Sequence, residues 1–205
     1  MKPTRWMFSI VSTIVLGLLN GPAILGADKK LKAASAADQT QVVLDVAVDG
    51  RTWGFNRSGV GQTGVVRGDT FVVNGKIFPG GSIPSGDTTG ALSPDSDGSI
   101  GTLICRGLFV VNAADLSNGV NISQASDQQF YLDEGNGLVT QGVEGTVAVM
   151  RAVIGGTGQY SGAIGQVSEE VLGWNETGGL NLRFTFNLVM LNPQAAAPFS
   201  SAKKR

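Results

Sequence analysis

The chain has 205 residues, of which 42% are hydrophobic and 15% are charged, and its formal net charge is −1. This composition supplies a core and excludes a disordered chain or a nucleic-acid binder with a basic surface. The sequence contains no histidine, which excludes Ser-His-Asp and Cys-His catalysis and every metal site built on imidazole. Cys105 is the only cysteine, so an internal disulfide is excluded as well.

Residues 1–27 have the pattern of a secretory signal peptide. Lys2 and Arg5 supply a positive start, an almost uncharged apolar run follows from Trp6 to Leu19, and small residues lead to a cleavage site after Ala27. A transmembrane anchor is the alternative, but a run of about 14 residues is shorter than the roughly 20 that a spanning helix needs. We therefore predict a secreted or periplasmic protein with no membrane span after cleavage.

Three further segments follow the predicted signal peptide. Residues 28–40 are polar and alanine-rich, which predicts a flexible linker. Residues 41–192 carry the strand patterns and are predicted to form a single β-barrel domain. Residues 193–205 form a polar tail with a basic end, which predicts a flexible, solvated C terminus.

Apolar and polar residues alternate with a period of two through most of the domain, which predicts antiparallel strands. About eight strands are predicted, with an additional short segment around Thr63–Val66. In chain order the eight are Gln41–Val48, Thr70–Phe78, Ser99–Asn112, Asp127–Asp133, Leu138–Val143, Thr146–Ile154, Ala163–Trp174 and Leu180–Met190.

Turn residues separate these strands. Ser82–Gly98 is rich in Gly, Ser, Pro and Asp and is predicted to be a long loop, too polar to pack. The pair Asn136 and Gly137 predicts a tight hairpin, and Asn175–Gly179 predicts a second one. Ser99–Asn112 is apolar on both faces, so we expect both of its faces to be covered, which would suit a subunit interface.

The last strand shows the clearest pattern. Six large apolar residues alternate with mostly polar ones along Leu180–Met190, so one face needs a deep apolar interior. Eight strands can close into a barrel that holds side chains or one small ligand. We predict an all-β fold, an eight-stranded antiparallel β-barrel, with a two-sheet sandwich as the alternative.

Three stretches carry a family resemblance: Phe130–Gly142, Val153–Val167 and Leu182–Leu188. Together they resemble the barrel of allene oxide cyclases and of their relatives, the dirigent proteins, over roughly residues 67–190. The middle stretch contains a glycine turn that allows positive φ or close backbone approach, and Tyr160 is predicted to cap the barrel end beside it. A dinucleotide-binding loop is the competing reading, but a strand pattern rather than a helix follows the glycines. The turn glycines are Gly156, Gly158, Gly162 and Gly165.

The resemblance implies a homotrimeric barrel with an apolar cavity, a small hydrophobic ligand and no metal or organic cofactor. It also implies three weak candidates for catalysis. Cys105 could face the cavity, although a small buried hydrophobe is the simpler interpretation. Asp45 is the acid nearest to a cavity carboxylate of the cyclases, although a rim or solvent-facing position is simpler. Asn74 lies near a water-holding asparagine of that family, although an ordinary Asn-Gly turn is simpler. The predicted cavity residues are Leu182, Phe184, Phe186, Leu188 and Tyr160.

Charged residues within the strand patterns are further candidates for a site. Arg106 and Arg151 interrupt apolar segments, where an unpaired charge is unfavourable, so each is expected to pair with an acid across strands or to point outward. Binding of a ligand carboxylate is the alternative for both. Glu169 and Glu170 are adjacent, so they face opposite sides of their strand and do not form a carboxylate pair with each other.

Three functions remain open from the sequence. The first is a barrel that binds or conformationally guides a small hydrophobic or aromatic molecule, as dirigent proteins do. The second is a cofactor-independent isomerase or cyclase acting on an oxidised fatty acid, as allene oxide cyclases do. The third is a structural, oligomeric surface protein. None of the three involves a nucleic acid.

Overall fold

The computed structural model describes residues 39–58, 64–84, 92–145 and 148–191. The described part of the chain is almost entirely β-structure, with one short helix, α1 (Ala113–Ser117), and three single 3-10 turns. The strands are β1 (Gln39–Val48), β2 (Gly54–Asn56), β3 (Thr70–Pro79), β4 (Gly101–Phe109), β5 (Ile122–Leu132), β6 (Gly137–Gly145), β7 (Met150–Thr157), β8 (Ala163–Trp174) and β9 (Leu180–Met190).

The strands form one antiparallel sheet that closes on itself. The hydrogen-bonded order is β1-β9-β8-β7-β6-β5-β4-β3, and β3 pairs with β1 to complete the ring. β2 is a short extra strand that pairs with the first residues of β3, beyond the end of β1. The predicted eight-stranded antiparallel barrel is therefore confirmed, and the sandwich alternative is wrong.

Closure depends on a glycine where β1 meets β3. Gly75 pairs with Val48, and a Cβ at Gly75 would lie 2.9 Å from Cγ1 of Val46 and 3.0 Å from the carbonyl oxygen of Ala47. A side chain at this position would therefore push the two strands apart.

The alternating pattern places one set of apolar side chains inside the barrel. Phe184 and Phe186 from β9 pack edge-on against Phe130 from β5, with ring centroids 4.9 and 5.0 Å apart. Edge-to-face aromatic packing adds to the free energy gained by burial alone. The buried residues of this core are Leu44, Val46, Val48, Ile77, Leu103, Phe130, Leu138, Val153, Ala163, Val167, Leu182, Phe184, Phe186 and Leu188.

The loop after β3 covers part of the outer surface. Ile83 is fully buried, and its backbone N–H donates to the Asp45 carboxylate at 2.7 Å. Arg183 on β9 also binds Asp45, and it donates to the Ile83 carbonyl at 2.6 Å. The prediction that this loop is too polar to pack is therefore wrong for Ile83, which the buried ion pair holds against β1 and β9.

Several local predictions need correction. The short second strand is Gly54–Asn56, and the described part of the predicted segment, 64–66, is not a strand. The β5–β6 hairpin is confirmed, but the left-handed residue is Gly135 (φ 77°) and Asn136 is extended. Asn136 instead accepts a hydrogen bond from the Gln159 N–H, which joins two hairpins at one end of the barrel.

The predicted signal peptide (1–27) and tail (193–205) lie outside the described residues, as does nearly all of the predicted linker (28–40). β1 begins at Gln39, slightly before the predicted start of the domain. In the part of the chain that the structure describes, no helix has the length and apolar character needed to cross a bilayer.

Candidate functional site

The barrel interior has two halves of different chemistry. The half nearer Tyr160 is filled by the packed aromatic and aliphatic side chains around Phe130, Phe184 and Phe186, and we call it the apolar half. The half nearer Trp53 contains polar side chains joined by hydrogen bonds, which we call the polar cluster. The members of the polar cluster are Cys105, Ser126, Gln128, Thr140, Glu144, Arg151 and Glu169.

The polar cluster forms because side chains at alternate positions of a strand share one face. On β5, Ser126 and Gln128 share the inward face with Phe130, and on β6, Thr140 and Glu144 share it with Leu138. Side chains at alternate positions of neighbouring strands therefore converge at one depth of the barrel. They lie in the half that faces the start of β9 and the end of β1.

Glu144 is the centre of the polar cluster. Its Oε1 atom accepts from the Cys105 thiol at 3.4 Å, from Gln128 Nε2 at 3.2 Å and from Arg151 Nη1 at 3.2 Å. The Ser126 hydroxyl also donates to this oxygen in a short hydrogen bond. Four donors from β4, β5 and β7 thus hold one carboxylate oxygen in place.

Arg151 supplies the charge that balances Glu144. Its side chain is buried, with 1% of the residue exposed, and Nη2 donates to the Ser126 carbonyl at 2.9 Å and to the Ser126 hydroxyl at 2.8 Å. Nη1 also reaches the Val143 carbonyl at 3.2 Å. Among the described residues, the Nε atom has no acceptor. The prediction that Arg151 pairs with an acid across strands is confirmed, as is that for Arg106, which binds Asp127 at 2.7 Å.

A second carboxylate, Glu169, joins the polar cluster through Gln128. Gln128 Nε2 donates to Glu169 Oε2 at 2.9 Å, and the Thr140 hydroxyl donates to Gln128 Oε1 at 3.0 Å, which fixes the orientation of the amide. Burial, and then the negative charge of Glu144, raise the pKa of Glu169 to about 7. Glu169 therefore exchanges its proton near neutral pH, unlike an ordinary surface carboxyl.

Burial also raises the pKa of the Cys105 thiol, and the Glu144 charge adds to the effect. The thiol stays protonated at neutral pH and acts as a hydrogen-bond donor to Glu144. A thiolate is the reactive form of cysteine, so Cys105 has the surroundings of a structural thiol rather than of a nucleophile.

A small cavity opens beside the polar cluster at the Trp53 end of the barrel, and we call it the mouth cavity. Its volume is about 120 Å³. Cys105, Gln124 and Gln128 are the polar residues of its wall, and the rest of the wall is aromatic and aliphatic. The apolar residues that line it are Val48, Trp53, Phe55, Phe71, Val73, Leu103, Phe109, Leu180 and Leu182.

Aromatic rings connect the mouth cavity with solvent. The Phe71 and Phe109 rings are 5.6 Å apart at the cavity wall, and Phe55 stacks on Phe109 at 6.5 Å. Trp53 meets Phe55 edge-on at 6.0 Å and is 39% exposed. The rings form a continuous apolar surface from the outside to the cavity, which is typical of an entrance for an apolar molecule.

The three weak candidates for catalysis lie in different places. Cys105 faces the interior and lines the mouth cavity. Asp45 is fully buried on the outer side of β1, where it binds Arg183 beneath Ile83. Asn74 lies within β3 rather than in a turn, and its carbonyl accepts from the Asp49 N–H at 2.8 Å. The structure therefore does not bring the three residues together.

The five predicted cavity residues divide between the two ends. Leu182 lines the mouth cavity, whereas Phe184, Phe186 and Leu188 are fully buried within the apolar half. Tyr160 is half-buried at the opposite end, beside a surface pocket of about 210 Å³. The packed aromatic rings therefore separate the Tyr160 end from the polar cluster.

The four turn glycines lie where β7 reverses into β8. Gly158 and Gly162 have positive φ angles of 59° and 78°. At Gly156, a Cβ would lie 2.5 Å from the Tyr160 carbonyl oxygen, and at Gly165, 2.1 Å from the Asn187 carbonyl oxygen. Two of the glycines thus allow the turn and two allow close approach of backbones.

Sequence reasoning missed the carboxylate pair. Glu169 and Glu170 do face opposite sides, as predicted, but Glu169 shares Gln128 with Glu144, which lies two strands away in the sheet. The sequence did contain a signal, because alternation along a strand places Glu144 on the same face as Leu138 and Glu169 on the same face as Val167. Gln128 and Ser126 gave no such signal, because β5 is polar on both faces around them.

No group of three or more His, Cys, Asp or Glu side chains is placed to hold a metal ion within residues 39–58, 64–84, 92–145 and 148–191. The polar cluster instead satisfies its carboxylates with amide, hydroxyl, thiol and guanidinium donors.

Solved structures share this fold at low sequence identity. The pterocarpan synthase dirigent protein PsPTS1 has a TM-score of 0.54 at 12% identity, over 75% of this chain and 96% of its own. The related GePTS1 has a TM-score of 0.52 at 14% identity, over 75% of this chain and 86% of its own. The fold is dirigent-like. The Diels Alderase AbmU from Streptomyces koyangensis has a TM-score of 0.50 at 16% identity, over 78% of this chain and 72% of its own.

No protein-family model and no curated protein match the chain. The suspected dirigent-like barrel is confirmed by the dirigent structures at the level of fold. At identities of 12 to 16%, the likeness extends to the arrangement of strands and not to the residues of a site.

Proposed function

We propose that the barrel binds a small hydrophobic or aromatic molecule in the mouth cavity and controls its conformation. The observation that carries this proposal is the continuous aromatic surface from Trp53 to Phe71, which leads from solvent to Cys105 and Gln128. An apolar pocket with a few fixed polar groups is the usual form of a small-molecule site.

The size of the mouth cavity limits what it accepts. At about 120 Å³ it is smaller than the roughly 300 to 1,000 Å³ of pockets that enclose whole drug-sized ligands, and close to the ~150 Å³ of a cavity that binds benzene. One ring or a short alkyl chain fits inside, and the rest of a larger ligand lies along Trp53 and Phe55. The Gln128 and Cys105 side chains favour a ligand with at least one polar atom at its inner end.

A cofactor-independent isomerase or cyclase is the second candidate. The observation that favours it is the carboxyl of Glu169, whose raised pKa near 7 suits proton transfer at neutral pH. A barrel that only binds its ligand does not need such a group. A purely structural role is the third candidate, and a barrel that retains no small molecule would support it.

Export and assembly form part of the proposal. The signal-peptide pattern of residues 1–27 supports a secreted or periplasmic protein. The resemblance to dirigent and cyclase barrels supports a homotrimer, and so do apolar residues that lie exposed on the outer surface, such as Ile154 and Ile164 on adjacent strands. N-terminal sequencing of the exported protein and light scattering of the purified protein test these two points.

The ligand proposal is tested with the neutral fluorophore 1-aminoanthracene. We expect its fluorescence to rise on binding, and we expect Val73→Phe to weaken the affinity at least about tenfold, because Val73 lines the cavity and the added ring fills it. The matched control is Val72→Phe, since Val72 is the neighbouring residue on the outer face of β3 and is 41% exposed.

Two results would contradict the ligand proposal. One is the absence of any fluorescence change with the wild-type protein, and the other is equal affinity of the wild type and Val73→Phe. Solvent extraction of the exported protein, followed by mass spectrometry, then identifies the natural ligand. A small molecule that is recovered from the wild type and depleted in Val73→Phe is the expected finding.

A further inference from the structure

The barrel wall has a second opening, in its side rather than at its mouth. Among the described residues, the pairing of β6 with β7 ends at Gln141, and the pairing of β7 with β8 begins at Met150 and Ser168. The last residues of β6 and β8 therefore lack a β7 partner between them. A recess of about 230 Å³ lies there, and we call it the side recess.

The side recess combines three carboxylates with apolar walls. Glu144, Glu169 and Glu170 line it together with Gly145, Ala148, Val149 and Val171. The mouth cavity reaches the polar cluster from the other direction, through Cys105 and Gln128. The same hydrogen-bonded groups are thus approached from two separate openings.

The carboxylates of Glu144 and Glu169 have different surroundings. Glu144 Oε1 accepts from four donors, one of which is the Arg151 guanidinium, whereas Gln128 Nε2 is the hydrogen-bond donor found at Glu169. The charged and titratable groups around Glu169 are Glu144 on β6 and Arg151 on β7, with Cys105 on β4 behind Glu144 and with Glu170 next to it in the recess lining. Two carboxyl groups in unequal environments commonly divide into one that stays charged and one that carries a proton.

We propose that the side recess is a proton-transfer site, in which Glu169 exchanges a proton with a bound molecule and Glu144, which is bound to the same Gln128 amide, is the positioning residue. This inference deepens the proposed function, because it assigns a chemical step to the barrel that holds the ligand. The raised pKa of Glu169 agrees with the assignment.

The transfer balances with the groups present. A proton leaves the Glu169 carboxyl for an oxygen or nitrogen of the bound molecule, and Glu169 becomes a carboxylate. Gln128 Nε2, already 2.9 Å from Glu169 Oε2, donates to the charge that forms. The Thr140 hydroxyl prevents the amide from turning its oxygen towards Glu169, because it holds Gln128 Oε1. The reverse step returns the proton to Glu169, so no oxidant or reductant is needed.

The walls define the class of substrate. Ala148, Val149 and Val171 offer apolar contact and no hydrogen bond from their side chains, and Glu144 opposes an anionic group. The side recess therefore favours an uncharged, mainly apolar molecule with one basic oxygen or nitrogen, such as a carbonyl, an epoxide or an imine. Protonation of that atom promotes ring opening, ring closure or elimination without a cofactor.

The test uses diisopropylcarbodiimide, a small uncharged reagent, on the intact protein. Its reaction begins when a carboxylic acid gives its proton to a carbodiimide nitrogen, and the carboxylate oxygen then adds to the central carbon and rearranges to a stable N-acylurea. We expect peptide mapping to show the adduct on Glu169. The labelling rate should stay level between about pH 5 and pH 6 and fall about tenfold for each unit well above pH 7.

Two variants separate the outcomes. Glu169→Gln should lose the adduct, and Glu170→Gln, which replaces the neighbouring carboxyl in the lining of the same recess, should keep it. Glu144→Gln should remain folded by circular dichroism and shift the upper limb of the pH profile to lower pH, because the negative charge beside Glu169 is removed. An adduct confined to other carboxyls, or a Glu169 profile unchanged by Glu144→Gln, would overturn the inference. Neither result would affect the binding of 1-aminoanthracene, so the proposed ligand function is judged separately.

Discussion

The two halves of the barrel interior are built on the same strands but stabilised in different ways. In the apolar half, Phe130, Phe184 and Phe186 gain free energy from burial and ring packing, which are largely non-directional. In the polar cluster, Glu144 and Arg151 are tolerated only because hydrogen bonds satisfy nearly all of their polar atoms. The apolar half therefore supplies stability, whereas the polar cluster uses part of that stability to hold charged groups inside the fold.

The largest effect is expected in the apolar half. Phe184→Ala removes a fully buried ring and leaves a cavity among Phe130 and Phe186, so it should lower the free energy of unfolding by about 4 kcal/mol. Urea denaturation followed by circular dichroism measures the change. Asn187→Ala, an exposed position on the same strand, is the control and should change stability by less than about 0.5 kcal/mol. Equal losses in the two variants would show that the apolar half is not the stabilising region.

A somewhat smaller loss is expected when the polar cluster loses its positive charge. Arg151→Met leaves the Glu144 carboxylate without its ion pair and should lower the free energy of unfolding by about 3 kcal/mol. The double variant Arg151→Met with Glu144→Gln removes both charges and should recover part of the loss. If the double variant is less stable than Arg151→Met, then charge balance is not what Arg151 contributes.

The pH dependence of stability gives a further test of the polar cluster. The pKa of Glu169 is raised from 4.5 in the unfolded chain to about 7, so between these values the folded protein holds more protons than the unfolded one. The contribution of Glu169 to stability is therefore fully present below about pH 4.5 and is lost as the pH rises through 7. Because the residue is partly exposed, we expect the loss to be about 2 kcal/mol.

Glu169→Gln removes this dependence, since glutamine stays neutral. Its stability relative to the wild type should rise as the pH increases from about 4.5 to about 7.5, whereas that of Glu170→Gln should stay level. Urea denaturation of the three proteins at both pH values gives the comparison. A constant difference between Glu169→Gln and the wild type would place the pKa of Glu169 in its ordinary range.

The smallest effect is expected at Cys105, on the boundary between the polar cluster and the mouth cavity. Cys105→Ala removes one small side chain and one weak donor to Glu144, so the free energy of unfolding should fall by about 1 kcal/mol. Because burial raises the pKa of the thiol, iodoacetamide should modify the folded protein much more slowly than the urea-unfolded protein at pH 8. Similar rates in the two states would mean that the thiol is reachable as a thiolate.

Most of the fold could be predicted from the sequence, because strand periodicity is a local signal. Ala163–Trp174 and Leu180–Met190 were predicted with the observed limits. Turn residues mark the ends of the first, and large apolar residues at every second position mark the second along its whole length. β5 was predicted to begin at Asp127 but begins at Ile122, because the polar residues Gln124 and Ser126 face inward and break the expected pattern. Inward-facing polar residues on β5 therefore explain both the wrong start of this strand and the failure to predict the polar cluster.

The site could be predicted only in part, because it depends on register between strands that are distant in sequence. Glu144 and Glu169 each share a strand face with an apolar residue of the same strand, which the sequence shows. Their common contact with Gln128 depends on the order β5-β6-β7-β8 and on the late start of β7, which the sequence does not show. Asp45 shows the opposite case. The alternation along β1 predicts that Asp45 faces outward. The sequence gave no sign that the loop containing Ile83 covers this side chain.

The pairing of β1 with β9 brings the two ends of the domain to the same end of the barrel. Gln39 pairs with Val189, and the Leu191 N–H donates to the Gly162 carbonyl, so the first and last described residues lie side by side next to Tyr160. Trp53 and the mouth cavity are at the other end. A fusion partner, an affinity handle or a surface linkage joined directly to Gln39 or Leu191 would therefore be attached at the end of the barrel away from the aromatic entrance, and protein immobilised in this way should remain competent to take up small molecules.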